Sequence, residues 1–226
     1  MRIDTTLKAA IQVVCGSSGS GKSVTIKKRL QKEKRLIIWD VDDEYTGEMG
    51  IPGCQRFTCL RQLADRLRTA KAGKFAYVGK PSDFNNWCRL VFAWGYCAAV
   101  AEETAGVTSP AKAPEGWHTL VSRGRKRGIK PLVGVTQRPA ESDKTIMGNC
   151  SSIQCGLLTR AKDRKYMADE LDIPVEYITR LGEEEYIRLE VRKKAYFHGK
   201  ITTPPEGTPN PLTKVRIKET PLTIER

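Results

Sequence analysis

The sequence predicts an α/β fold: a mostly parallel central sheet flanked by helices, closed by a C-terminal β-hairpin. Three observations carry that expectation. Short apolar runs alternate with helix-forming stretches along most of the chain, as in parallel strands joined by crossover helices. The first run, Ile11, Val13 and Val14, leads into Gly16-Ser17-Ser18-Gly19-Ser20-Gly21-Lys22-Ser23, which fits G-x-x-x-x-G-K-[ST] between a strand and a helix. Late in the chain, residues 185–191 and 195–201 alternate apolar and polar side chains around Arg192-Lys193-Lys194, the pattern of a hairpin with a basic tip. Residues 1–201 therefore read as one domain, and the proline-rich stretch 202–226 as an extended arm without a regular element of its own.

The phosphate-loop spelling answers the needs of polyphosphate binding. Glycines 16, 19 and 21 allow positive φ and let backbone N–H groups approach the β- and γ-phosphates where a side chain would collide. The helix beginning near Lys22 turns its positive end on the same anion. Gly16, Ser17, Ser18, Gly19, Ser20, Gly21, Lys22 and Ser23 are thus the candidate nucleotide-binding residues. Lys22 supplies a point charge to the β/γ oxygens and the Ser23 hydroxyl a ligand of Mg²⁺. ATP is the expected nucleotide, although the loop itself does not select a base.

Composition bounds the partners. At 226 residues with 39% apolar side chains, the chain can bury a sizeable core. Thirty-nine Lys and Arg against 26 Asp and Glu leave a net charge of +13, which suits a polyanion, nucleic acid first. No run approaches the length of a membrane-spanning helix and no secretory signal is recognisable, so the chain reads as soluble and intracellular. Seven cysteines, an odd number without C-x-x-C spacing, read as buried thiols rather than a zinc site or a disulfide framework.

The elements follow in order. After the phosphate-loop helix, residues 35–40 (RLIIWD) read as a second buried strand that delivers Asp40 to the end of the sheet where ligands gather, with Glu44 and Tyr45 in the acidic turn beyond it. Residues 46–58 read as loop, 60–71 as an amphipathic basic helix, 74–78 as a third strand, and 81–94 as an apolar helix whose aromatics serve the core or a subunit contact. Residues 96–101 (YCAAVA) form a small-residue strand ending in Glu102 and Glu103. An apolar strand followed by paired acids has the form of a Walker B segment, in which the first carboxylate holds the Mg²⁺ shell and the second orients the attacking water. The helix 115–127 ends in Arg123-Gly124-Arg125-Lys126-Arg127-Gly128, and strand 131–136 delivers Gln137 beside the phosphate loop, where its amide can reach the γ-phosphate or the lytic water. A short helix (141–147), a strand (153–158), a charged helix (162–171) and a further helical turn up to residue 181 precede the hairpin.

Taken together, the GSSGSGKS loop, the strand ending in Glu102-Glu103, and Gly124-Arg125-Lys126-Arg127-Gly128 with Val135-Thr136-Gln137-Arg138-Pro139 resemble the FtsK/HerA superfamily of hexameric DNA-pumping ATPases. The stretch Asp40 to Tyr45 resembles that superfamily's Asp-x-x-Gly-Glu-Tyr, with Asp43 in place of the glycine, and Glu102 stands where the usual first acid is aspartate. The resemblance implies a RecA-like (ASCE) P-loop NTPase fold. It also implies phosphate and metal binding by Lys22 and Ser23, a metal-shell role for Glu102, Glu103 as catalytic base, Gln137 as sensor, and Arg125 as the finger acting in trans, with Arg127 and Arg123 as alternatives. The compact size is most similar to the genome-packaging ATPases of tectivirus-type tailless phages. Implied partners are double-stranded DNA held by non-specific phosphate contacts, further copies in a hexameric ring, and capsid vertex or portal proteins. The implied setting is the host cytoplasm during assembly, with retention at the packaging vertex of the virion. Competing readings are an ATPase for filamentous-phage assembly, secretion or plasmid transfer, and a P-loop small-molecule kinase. Residues 105–114 and 79–85 are candidate pore-facing loops.

Overall fold

The computed structural model describes residues 3–225. The chain runs β1 (Ile11–Cys15), α1 (Lys22–Leu30), β2 (Arg35–Trp39), β3 (Cys54–Phe57), α2 (Leu60–Thr69), β4 (Gly73–Tyr77), α3 (Phe84–Trp94), β5 (Ala98–Ala101), α4 (Glu115–Arg123), β6 (Leu132–Thr136), α5 (Lys144–Asn149), β7 (Ser152–Gly156), α6 (Ala161–Leu171), α7 (Val175–Thr179), β8 (Glu185–Glu190), β9 (Ala195–Thr202), α8 (Pro211–Lys214) and β10 (Arg216–Leu222). The strands form one sheet in the order β10-β9-β8-β7-β1-β6-β5-β2-β4-β3. From β7 to β3 every pairing is parallel, and β8, β9 and β10 extend the sheet antiparallel beyond β7.

Local chemistry explains this layout. Strands β5 and β6 are buried throughout and carry only small and aliphatic residues and a terminal threonine, as strands covered on both faces require. The chain leaves β1 for β2, returns through β5 to β6, and then crosses β1 to reach β7. Parallel alignment therefore brings the carboxyl ends of β1, β2, β5 and β6 to one edge, where Gly16, Asp40, Glu102 and Gln137 follow their strands.

Helices cover both faces. One face carries the aromatic heart of the core: Trp39 meets Phe84 and Trp87 edge-on, with ring centroids 5.1 and 5.9 Å away, and Phe84 lies 5.5 Å from Trp117. The aromatics of α3 thus serve the interior, with Phe84 and Trp87 fully buried. The other face packs Ile26 and Leu30 of α1 in a cluster with Val14, Leu36, Ile38 and Tyr45. No helix among the described residues is long and apolar enough to cross a membrane.

Three segments differ from the sequence expectation. Residues 54–57, read as loop, form the edge strand β3, because backbone pairing with β4 suffices even though Cys-Gln-Arg-Phe lacks an alternating pattern. The helix expected over 115–127 is regular only to Arg123 and tightens into a 3₁₀ turn at 124–127, ended by Gly128 in the left-handed region at φ 66. The arm beyond residue 202 folds back on the domain. After its prolines, Arg216 to Thr220 alternates well enough to pair antiparallel with β9, and Pro221 lies on the outermost strand, where a missing N–H is tolerated. Lys28 on α1 donates to the carbonyls of Leu212 (3.2 Å) and Thr213 (2.8 Å). Glu219 of β10 accepts from Arg29 (2.8 Å), the Tyr186 hydroxyl (2.8 Å) and Arg188 (2.7 and 2.9 Å). The segment is therefore tied to the phosphate-loop helix.

Candidate functional site

The carboxyl edge of the sheet opens into a cavity of about 490 Å³ lined by Ser18, Gly19, Gly21, Lys22, Ser23, Lys27, Asp40, Glu44, Tyr45, Glu102, Glu103, Gln137 and Glu184, among others. Chain segments far apart in sequence meet here, and each arrives for a local reason.

The phosphate loop is anchored at its start by Gly16 N–H to the Thr136 carbonyl (3.3 Å) and Ser17 N–H to the Leu157 carbonyl (2.7 Å). Gly19 and Gly21 take φ 78 and 79, which a side chain would strain, and a Cβ on Gly21 would also run into Ile201. Helix α1 starts straight from Gly21 with no side-chain cap, so its first N–H groups stay open toward the cavity. Ser20 is buried, and its hydroxyl has no protein partner. Lys22 is buried as well and turns back on the loop, with Nζ 3.0 Å from the Ser17 carbonyl. Burial lowers its pKa, while the neighbouring Glu103 and Glu102 act in the opposite direction. Uncapped N–H groups and a desolvated ammonium make a cradle that fits a polyphosphate.

The paired acids have different surroundings. Glu102 is buried and accepts a hydrogen bond from the Tyr45 hydroxyl to Oε1. Burial pushes its carboxyl up to about 8, opposed by that hydrogen bond and by Lys22. A carboxyl so desolvated is a natural partner for a cation. With the Ser23 hydroxyl on the same cavity wall, it offers the hard oxygen donors that Mg²⁺ takes alongside phosphate oxygens and water. Glu103 is half-buried and sits at φ 45, a left-handed backbone rare for a non-glycine residue. Gln137, from the end of the next strand over, donates its side-chain amide to Glu103 Oε1 at 2.8 Å. The carboxylate and the amide thus form a unit that can orient a water.

Asp40 also reaches the cavity, but it serves the loop. Its two oxygens accept the N–H groups of Glu44 (2.9 Å) and Tyr45 (3.0 Å). The acidic-turn reading therefore describes what its carboxylate does. Arg125 lies outside the cavity, in the 3₁₀ turn before β6, exposed and donating to the carbonyls of Thr5 (3.4 Å) and Leu7 (3.1 Å). Of its two alternatives, Arg127 is buried and bonded to the Phe92 (3.0 Å) and Ala93 (2.8 Å) carbonyls, whereas Arg123 is exposed.

Lys27 and Glu184 are among the wall residues that sequence reasoning did not mark. Lys27 is buried, with Nζ 3.9 Å from a Glu44 carboxylate oxygen and 5.3 Å from the centre of the Tyr45 ring. Its position one turn beyond the phosphate loop was the available signal, hidden within the run Lys27-Lys28-Arg29. Glu184 reaches the rim from the turn before β8, at φ 58, and nothing in the sequence marked it.

This fold, with a phosphate loop after β1, paired acids after β5 and a glutamine after the strand between them, is that of a P-loop NTPase. No family model matches the chain. The chain is 34% identical over 189 residues to protein P9 of Pseudoalteromonas phage PM2, a match spanning 80% of this chain and 83% of P9, and it belongs to the family of that protein. Among solved structures, it is similar to the genome packaging NTPase B204 of Sulfolobus turreted icosahedral virus 2 in complex with AMPPCP. That match has a TM-score of 0.65 and 14% identity, over 83% of this chain and 95% of that one. It is also similar to VirB4 of Thermoanaerobacter pseudethanolicus, with a TM-score of 0.51 and 12% identity, over 95% of this chain and 89% of that one. At these identities, the structural likeness speaks to the fold.

Proposed function

We propose that this chain is an ATP hydrolase that drives double-stranded DNA into a preformed viral capsid, working as a homo-oligomeric, hexameric ring. The observation that carries the reading is the Glu103–Gln137 pair standing in one cavity with the phosphate loop and Glu102. A small-molecule kinase has no need of a carboxylate and an amide paired to hold water.

In this reading, the backbone of residues 16–23 and Lys22 bind the β- and γ-phosphates, and Ser23 and Glu102 hold Mg²⁺. When bound there, the ion would neutralise charge on the phosphate oxygens. Glu103 accepts the proton of the attacking water, and Gln137 fixes the direction of that carboxylate, so catalysis comes from positioning and charge. A neighbouring copy's Arg125 completes the charge balance. The likeness to the genome packaging NTPase B204, the relation to phage protein P9 and the net charge of +13 support duplex DNA as the cargo, gripped through its phosphates, and a capsid vertex or portal as the docking partner. Assembly would take place in the host cytoplasm, with the motor retained at the vertex.

The test is the steady-state ATPase rate with and without long duplex DNA, with Lys22→Ala as the blank. DNA is expected to stimulate turnover at low salt and to lose that effect as salt rises, because each phosphate contact releases a counterion. A rate indifferent to DNA at every salt concentration would contradict the motor while leaving an NTPase.

A further inference from the structure

Asp40 and Glu102 end adjacent strands, and the structure gives their carboxylates different tasks. Asp40 commits both oxygens to the loop that follows β2, which turns through Asp43 at φ 56. That turn carries Tyr45 back over the neighbouring strand end. Its ring is fully buried in the apolar cluster shared with Ile26, Leu36, Ile38 and Ile51, beneath the Lys27 ammonium. Ile51 N–H closes the loop onto the Tyr45 carbonyl at 2.9 Å. The hydroxyl then has one acceptor within reach, Glu102 Oε1, while Oε2 has no hydrogen-bond donor among the described residues.

We infer that Tyr45 is a positioning residue for metal binding: its hydroxyl fixes the Glu102 carboxylate in one orientation and leaves Oε2 for the Mg²⁺ shell that Ser23 and the phosphates complete. The inference rests on the reading of Glu102 as the metal-shell carboxylate. A residue that only anchored the loop would act through its ring, which Tyr45→Phe retains; a residue that positions the carboxylate acts through its hydroxyl, which Tyr45→Phe removes. The effect should therefore fall on the cation and spare the nucleotide.

The experiment measures binding of a fluorescent ATP analogue to wild type, Tyr45→Phe, Glu102→Gln and the double variant, first in EDTA and then across a Mg²⁺ titration. Tyr45→Phe is expected to match wild type in EDTA and to need about tenfold more Mg²⁺ for the metal-dependent gain in affinity, the effect of one lost hydrogen bond to a charged group. Its kcat should return to the wild-type value at saturating Mg²⁺, and the substitution should add nothing in the Glu102→Gln background. A wild-type Mg²⁺ dependence in Tyr45→Phe, or a shift that persists without Glu102, would overturn the inference. If Glu102→Gln itself keeps the wild-type dependence, Glu102 leaves the metal shell and the inference falls with that reading.

Discussion

Glu103→Gln is expected to bind ATP as tightly as wild type and to lose about 10³-fold in turnover, the scale of a positioned general base. The substitution keeps size and shape, and a glutamine carbonyl still accepts from Gln137 Nε2, so the 2.8 Å contact and the φ 45 backbone have no reason to change. What disappears is the basicity. ATP affinity resides in the phosphate loop and Lys22, which the substitution does not touch, and removing a negative charge from the cavity does not weaken the hold on an anion. Equilibrium nucleotide binding and single-turnover cleavage together check this. If Glu102→Gln alone shows the phenotype of tight binding without cleavage, the roles of the two acids are reversed.

Arg125→Ala is expected to cost about 10³-fold or more in turnover while leaving nucleotide binding nearly intact, the effect of removing an arginine finger. No arginine is among the residues lining the cavity, so the charge that builds on the γ-phosphate oxygens lacks a guanidinium from its own subunit. Arg125 is exposed at the amino end of β6, the opposite edge of the sheet from the phosphate loop. The proposed ring requires that edge to face the next copy's cavity. Mixing provides the decisive control: Arg125→Ala retains a sound cavity and Lys22→Ala retains a sound arginine, so mixed rings should regain turnover that neither variant has alone. The two carbonyls Arg125 caps are replaceable by water, and a melting temperature near that of wild type separates loss of the finger from loss of fold. Normal turnover in Arg125→Ala would remove it from the mechanism.

The sequence was most legible where chemistry is local. Gly16 to Ser23 specify their own loop conformation, and Glu102, Glu103 and Gln137 each follow an apolar strand that delivers them to one edge. Legibility failed where tertiary contacts decide. Tyr45 meets Glu102 across 57 residues of chain, and Lys27 is indistinguishable in sequence from Lys28 and Arg29 beside it. Cys54 to Phe57 becomes a strand because β4 offers an unpaired edge, and Arg216 to Leu222 becomes one despite Pro221 because β9 does the same, with Glu219 bound to the phosphate-loop helix. Asp40 fits both of its readings: its place at a strand end brings it to the cavity, and its carboxylate caps the acidic turn.

The central claim, that this chain moves along duplex DNA at the expense of ATP, is tested most directly by displacement of a triplex-forming oligonucleotide from a long linear duplex. The account predicts release that requires ATP and Mg²⁺, fails with Lys22→Ala and Glu103→Gln, and slows as the triplex is placed farther from the loading end. Full ATP turnover on that duplex with no release of the third strand would contradict it.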